Sequence, residues 1–180
     1  MEKIVIIING VGGAGKDTLC DLAAKHYKVE NVSAITPIKD IAKEYGWNGK
    51  KDAKSRKFLS DLKRVFVDYN DLSTKYLYNQ YVDFLKSENE ILFVHIREKE
   101  EIDKFKDLVD IKCITLLIDR PDSTIEKWGN VADDEVKEYK YDFYFENNKP
   151  IAEIEQEFVS FIHTLLSNDL DNAKDKELSL

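Results

Sequence analysis

Nine consecutive residues, Gly10-Val11-Gly12-Gly13-Ala14-Gly15-Lys16-Asp17-Thr18, hold four of the seven glycines in this chain and end on Gly-Lys-Asp-Thr. Glycine permits the backbone angles that turn successive N–H groups toward one anion. A helix starting at the end of the loop adds partial positive charge, and Lys16 adds a full one. The flanks supply what the loop requires. The apolar run Ile4-Val5-Ile6-Ile7-Ile8-Asn9 precedes it, and Asp17-Thr18-Leu19-Cys20-Asp21-Leu22-Ala23-Ala24 follows with helical spacing. Strand, glycine loop with Gly-Lys, and helix together make a phosphate-binding loop, and the ligand they predict is a nucleoside triphosphate.

The loop departs from Gly-x-x-x-x-Gly-Lys-Ser/Thr in one respect. Asp17 stands where the magnesium-binding hydroxyl is expected, and Thr18 follows. A carboxylate beside a polyphosphate is repulsive unless a divalent cation intervenes or the side chain turns away. Asp17 therefore either holds Mg²⁺, directly or through water, or caps the helix and favours its dipole. Thr18 retains a hydroxyl for a phosphate.

Lysine outnumbers arginine 23 to 4, so lysine fills the generic surface and each arginine is a candidate for bidentate grip on phosphate. Arg56 and Arg64 fall eight apart in one helical pattern and share roughly one face, where Arg64 reads as solvated surface. Arg97 is the strongest of the four. It sits in Phe93-Val94-His95-Ile96-Arg97-Glu98, at the carboxyl edge of an apolar strand, where parallel sheets place their ligands. His95 reads as a structural strand-end residue and Glu98 as a helix N-terminal carboxylate that could also meet a metal. Arg120 follows the apolar run Ile114-Thr115-Leu116-Leu117-Ile118, with Lys127 and Lys137 as weaker cations beyond it. Asn130 to Glu135 reads as a helix start, with Asp133 and Asp134 near its positive end.

The elements that must position these groups are strands near 3–9, 29–33, 90–96, 112–118 and 141–146, and helices near 16–27, 36–45, 52–68, 72–87, 98–109 and 150–166. Pro37 and Pro150 stand where first-turn prolines are favoured. Strands alternating with helices predict a mainly parallel sheet covered on both faces. Nearly sixty residues separate the second strand from the third, too many for a simple crossover, and predict a helical arm over about 34–88 beside the glycine loop. Residues 1–167 read as one domain and 168–180 as a flexible tail. The tyrosines of 69–81 and 139–144 have the spacing of core positions, with Tyr76, Tyr78 and Tyr81 also able to stack a base.

The chain has 180 residues, 43% hydrophobic and 34% charged, with net charge −8. The acidic balance argues against nucleic acid and against anionic lipid as partners. Cys20 and Cys113 form no CxxC or Cys/His cluster, which speaks against a disulfide framework or a zinc site and for core residues in a reducing compartment. The N-terminal apolar run is too short for a signal peptide or membrane span, so the expected location is the cytoplasm. No Gly-x-Ser-x-Gly or HExxH motif offers a competing chemistry, and His26 and His163 read as helical packing or surface residues.

Gly15-Lys16-Asp17-Thr18 resembles the deoxynucleoside monophosphate kinases, a branch of the P-loop kinases typified in phages, with adenylate kinases similar. Val32-Ser33-Ala34-Ile35-Thr36-Pro37-Ile38-Lys39-Asp40-Ile41-Ala42 is similar to that family's segment after the second strand, and Arg56-Lys57-Phe58-Leu59-Ser60-Asp61-Leu62-Lys63 to its arm helix. Tyr141-Asp142-Phe143-Tyr144-Phe145-Glu146-Asn147 resembles its last strand and following Asn. The resemblance implies a three-layer α/β P-loop fold with a five-stranded sheet and a helical acceptor-binding arm. It implies that the γ-phosphoryl of ATP moves to a nucleoside monophosphate, a deoxynucleotide for preference, with Mg²⁺ as cofactor. Gly10, Gly12, Gly13, Ala14, Gly15, Lys16, Asp17 and Thr18 would then hold the donor. Lys39, Arg56 and Arg97 would face the acceptor, and Lys16, Arg97 and Arg120 would stabilise the moving charge, Arg120 from a lid-like segment over about 120–138. The strand-end Asp common in P-loop enzymes is missing, with His95 close to its place. Other acceptors on the same scaffold are a dephospho-coenzyme A or phosphomevalonate; a nucleotide-binding switch without transferase activity is the reading from another class.

Overall fold

The computed structural model describes residues 3–121 and 135–167. Its sheet has the order β2-β3-β1-β4-β5, with β1 at Ile4–Asn9, β2 at Val29–Ser33, β3 at Ile91–His95, β4 at Cys113–Asp119 and β5 at Phe143–Glu146. All four neighbouring pairs run parallel. β1 lies in the middle, and Ile4, Val5, Ile6, Ile7 and Ile8 are all fully buried. A strand apolar on both faces suits only that central place, because each face meets a helical layer. Burying each such side chain contributes about 1.5–3 kcal/mol.

Alternation along β1 divides the core. Ile4, Ile6 and Ile8 face a layer made by α1 (Lys16–Ala23) and α6 (Ile151–Leu166), with Leu19, Phe158 and Ile162 among its buried members. Val5 and Ile7 face α4 (Leu72–Lys86) and α5 (Lys99–Lys106), through Leu77, Tyr81, Phe84, Ile102 and Phe105. The result is a three-layer α/β fold with helices on both faces. α2 (Thr36–Glu44) and α3 (Ala53–Asn70) form a small core of their own around Ile38, Ala42 and Leu59. Within the long connection after β2, α4 thus belongs to the sheet, and the separate helical pair is α2 and α3.

Several boundaries differ from the expectation. α1 stops at Ala23 instead of 27: Lys25 N–H donates to Leu22 O at 3.2 Å and His26 N–H to Ala23 O at 3.0 Å, the tight bonds that end a helix. His26 is therefore in a turn. α5 ends at Lys106 in the same manner, with Leu108 N–H on Phe105 O. Pro150 is the extended N-cap of α6, one position before its first turn. Of the tyrosines expected in the core, Tyr81 is buried, but Tyr69, Tyr78 and Tyr144 are exposed. Most of the segment expected as a lid, Lys127, Asn130, Asp133 and Asp134 included, and the tail over 168–180 lie outside the described residues. Among the described residues no helix is long and apolar enough to cross a membrane.

Candidate active site at the carboxyl edge of the sheet

β1 delivers the glycine loop to the carboxyl edge of the sheet, and three glycines there have positive φ: 149° at Gly10, 85° at Gly13 and 90° at Gly15. Close approach adds a second constraint at the outer two. A Cβ on Gly10 would stand 2.5 Å from the Ile118 carbonyl oxygen, and one on Gly15 would collide with Nδ2 of Asn147. The space around Gly12 and Gly13 is open. The loop is thus gripped at both ends, with an open crest. Asn147, just past β5, holds the far end: its Nδ2 donates to Ala14 O at 2.8 Å, and its backbone N–H to Asp119 O at 2.7 Å.

Asn9 holds the near end. Its side-chain oxygen accepts the Gly10 N–H at 2.8 Å, while its Nδ2 donates to the Tyr141 hydroxyl at 2.8 Å and to Arg97 O at 3.2 Å. Tyr141 passes its own proton to Val136 O at 2.9 Å. Burial pushes that phenol up to about 12, so it remains a donor. A single buried amide therefore ties the start of the loop, the turn carrying Arg97 and the chain entering β5. Sequence reading passed over Asn9; its signal was a polar residue closing an otherwise apolar strand.

Lys16 opens α1 and donates back to Gly10 O at 2.5 Å and Val11 O at 3.1 Å, which keeps its ammonium over the loop. Asp17 and Thr18 are exposed in the first turn of α1, and the Asp17 side chain is 91% exposed. The helix has no side-chain cap hydrogen bond, so Asp17 is not its N-cap. It stands 4.0 Å from Nδ1 of His95. His95 is largely buried at the end of β3, and its Nε2 is 2.7 Å from Oδ1 of Asn31 on β2. Burial, followed by the charges of Lys16, Lys39 and Arg97 against the pull of Asp17, lowers its pKa to about 4. The imidazole is neutral at physiological pH.

Lys39, on α2, belongs to the same electrostatic neighbourhood. Burial and the nearby Lys51, Lys43 and Arg97 hold its ammonium below the ordinary lysine value, while Asp17 acts in the other direction. Arg56, in the first turn of α3, donates from Nε to Lys51 O at 3.0 Å, which connects it to the same loop. Arg64 is 72% exposed and pairs with Asp61, as expected of a surface residue. Arg120 is exposed just past β4. Its neighbour Asp119 accepts from Lys137 Nζ at 3.0 Å, a strand-end carboxylate that sequence reading missed.

Glu98 is the N-cap residue of α5 and has a different partner. Lys63 of α3, only 8% exposed, reaches Glu98 at 2.5 Å and Glu101 at 2.8 Å. Lys63 was hidden among 23 lysines, yet it interrupts the apolar series Leu59, Leu62, Phe66 on a face of α3, and that interruption was the available signal. Cys20 is buried with its sulfur 3.9 Å from Nε2 of His95, and burial pushes its thiol well above the ordinary value. It stays a thiol. Among the described residues no group of three or more His, Cys, Asp or Glu could hold a metal. A cation at the loop would draw on Asp17, for which an exposed carboxylate beside a loop open to phosphate is a fitting donor.

Neither a family model nor a curated protein matches the chain. Solved structures do resemble it in fold. TT1252 from Thermus thermophilus is 16% identical over 92% of this chain and 99% of its own, with a TM-score of 0.55. A sugar kinase from Janibacter sp. HTCC2649 is 11% identical over 91% and 95%, at 0.53. A gluconokinase from Sinorhizobium meliloti 1021 is 16% identical over 95% and 97%, at 0.51. What the chain shares with these proteins is the fold, a three-layer α/β arrangement of the P-loop type.

Proposed function

We propose that this chain is an ATP-dependent phosphotransferase whose acceptor already carries a phosphate, a nucleoside or deoxynucleoside monophosphate. The observation that carries the reading is the crowding of cations on the acceptor side of the loop. Burial first, and then Lys51, Lys43 and Arg97, make Lys39 hold its proton less tightly, while Asp17 acts in the opposite direction. An anionic acceptor relieves that repulsion; an uncharged sugar does not.

The residues divide the work. Loop amides from Gly10 to Thr18 and the Lys16 ammonium hold the donor β- and γ-phosphates. Lys39, Arg56 and Arg97 orient the acceptor phosphate, and Arg120 approaches from the far side of the loop. Mg²⁺, when bound with the nucleotide, neutralises charge on the donor phosphates. Transfer of this kind demands alignment and fixed positive charge more than covalent help. An acceptor phosphate is already a nucleophile at neutral pH, so the absence of a strand-end carboxylate at His95 is no obstacle.

Coupled measurement of ADP release with Mg-ATP tests the reading against a panel of nucleoside and deoxynucleoside monophosphates, dephospho-coenzyme A, phosphomevalonate and uncharged sugars. Turnover with monophosphates is the expected result. Turnover with sugars alone refutes the anionic acceptor, and ATP binding with no turnover on any acceptor supports a nucleotide-binding switch instead. In Lys16→Ala the rate should fall roughly 10²–10³-fold, the usual loss for one preorganised charge donor, with circular dichroism unchanged.

A further inference from the structure

The carboxylates near the loop are divided between two fates. Glu98 and Glu101 are held by Lys63, and Asp119 accepts from Lys137. Among the described residues Asp17 pairs with no ammonium; its neighbour in the structure is an imidazole nitrogen, Nδ1 of His95 at 4.0 Å. That imidazole is oriented. Its other nitrogen lies 2.7 Å from Oδ1 of Asn31, an acceptor only, so a ring proton on Nε2 is bonded there and leaves Nδ1, the nitrogen 4.0 Å from Asp17, with the lone pair. A histidine fixed through its second nitrogen by an oxygen acceptor, with its first nitrogen unprotonated, has the form of a metal ligand and its outer-shell partner.

We propose that the divalent cation accompanying the nucleotide is held between the Asp17 carboxylate and Nδ1 of His95, and that this nitrogen-containing site prefers Mn²⁺ or Co²⁺ to Mg²⁺. The inference rests on the reading of the glycine loop as a nucleotide site. Donor atoms around a cation with bonds of about 2.1 Å lie about 3 Å apart when adjacent and about 4 Å apart when opposite, so the gap admits an ion with small side-chain adjustments. Imidazole nitrogen suits the later divalent transition metals, Co²⁺ rising above Mn²⁺ in affinity for mixed nitrogen and oxygen sites; Mn²⁺ shares the oxygen preference of Mg²⁺ but as a softer, transition-metal ion tolerates one nitrogen better. The cations Lys16, Lys39 and Arg97 around His95 oppose a bare metal ion, so the metal arrives with the polyphosphate that offsets them. Cys20, close to Nε2 and retaining its proton, takes no part as a thiolate. Asn31 is a positioning residue: it sets the tautomer and touches no ligand.

The decisive measurement is pulsed electron paramagnetic resonance of Mn²⁺ bound with ADP to the full chain carrying ¹⁵N-labelled histidine. A ¹⁵N coupling is expected and must come from His95, since His26 is engaged by Glu155 and His163 lies on α6. In parallel, calorimetry compares ADP affinity in Mn²⁺, in Mg²⁺ and without metal. His95→Asp should remove the coupling and reduce the Mn²⁺ over Mg²⁺ advantage about tenfold or more, with metal-free ADP affinity retained. Asn31→Leu should weaken Mn²⁺ about 10–100-fold while the coupling persists at saturating metal. ADP binding without any histidine coupling, and a metal preference unchanged in His95→Asp, overturns the cation site alone. No ADP binding under any condition overturns the nucleotide-site reading, and this inference with it.

Discussion

Gly15 shows how tightly a single backbone atom can be specified. Its φ of 90° would cost another residue about 1–2 kcal/mol, and the Asn147 amide occupies the place of its missing side chain. Gly15→Ala should therefore lose most nucleotide affinity and lower the melting temperature. Asn147→Ala in the same chain should restore part of the stability, because it opens the space, but little of the affinity, because the strained φ remains. Equal losses in the single and double variants would show that contact with Asn147 is immaterial. The residue scale is also where sequence is most and least informative. Lys16 and the glycines stood out in the sequence by type and spacing, and the strand, the helix and the positive φ angles that this pattern calls for are present around them. Asn9 did not stand out, because its task depends on Tyr141 and Arg97, which lie far along the chain and meet it only in the folded molecule.

Between elements, one connection from the α2–α3 pair to the carboxyl edge of the sheet is the Lys63 triad. It joins α3 to the start of α5, directly after Arg97. Lys63→Met removes the ammonium that pairs with two carboxylates, Glu98 and Glu101. It should cost about 3–5 kcal/mol, read by urea denaturation, since an unpaired buried charge is what remains. Lys63→Met with Glu101→Gln should recover a large part. A second connection links β4 to the chain entering β5: Asp142 accepts from the Thr115 N–H at 2.8 Å, its hydroxyl at 2.9 Å and Lys106 Nζ at 3.2 Å. Burial alone would raise its pKa, but those hydrogen bonds and the ammonium outweigh it and hold the carboxyl below the ordinary aspartate value. The sign follows. The folded state binds the proton less readily, so the contribution is complete above the usual aspartate pKa and disappears as pH falls through the lowered one. Asp142→Asn should flatten the melting temperature against pH on the acid side below about pH 4, and leave it parallel to the parent at neutral pH. Helix and strand existence was readable from periodicity at this scale. The division of the long insertion was not: α4 carries the same amphipathic pattern as its neighbours, and only packing on β2 and β3 assigns it to the sheet.

For the whole molecule, the central strand and the alternation of elements were enough to predict layers and parallel pairing, because a strand apolar on both faces has few places to go. The sheet order was not available, since no local pattern records which strand lies beside which. A nucleotide that binds only the folded chain should raise its stability by about 2.7 kcal/mol at a hundredfold excess over Kd. Thermal melting with ADP and Mn²⁺ checks this, and a melting temperature independent of nucleotide would contradict a site formed by the fold.

The order of the sheet also has a temporal meaning. Of the five strands β1 leaves the ribosome first, yet its two neighbours, β3 and β4, begin only at Ile91 and Cys113. The most apolar of the five strands must therefore wait with both edges unpaired until Ile91–His95 has been made, and with one edge unpaired until Cys113–Asp119 has. Its burial is a late event of synthesis, and a nascent chain stopped before β4 carries an intact glycine loop on a strand with nothing yet on one side of it.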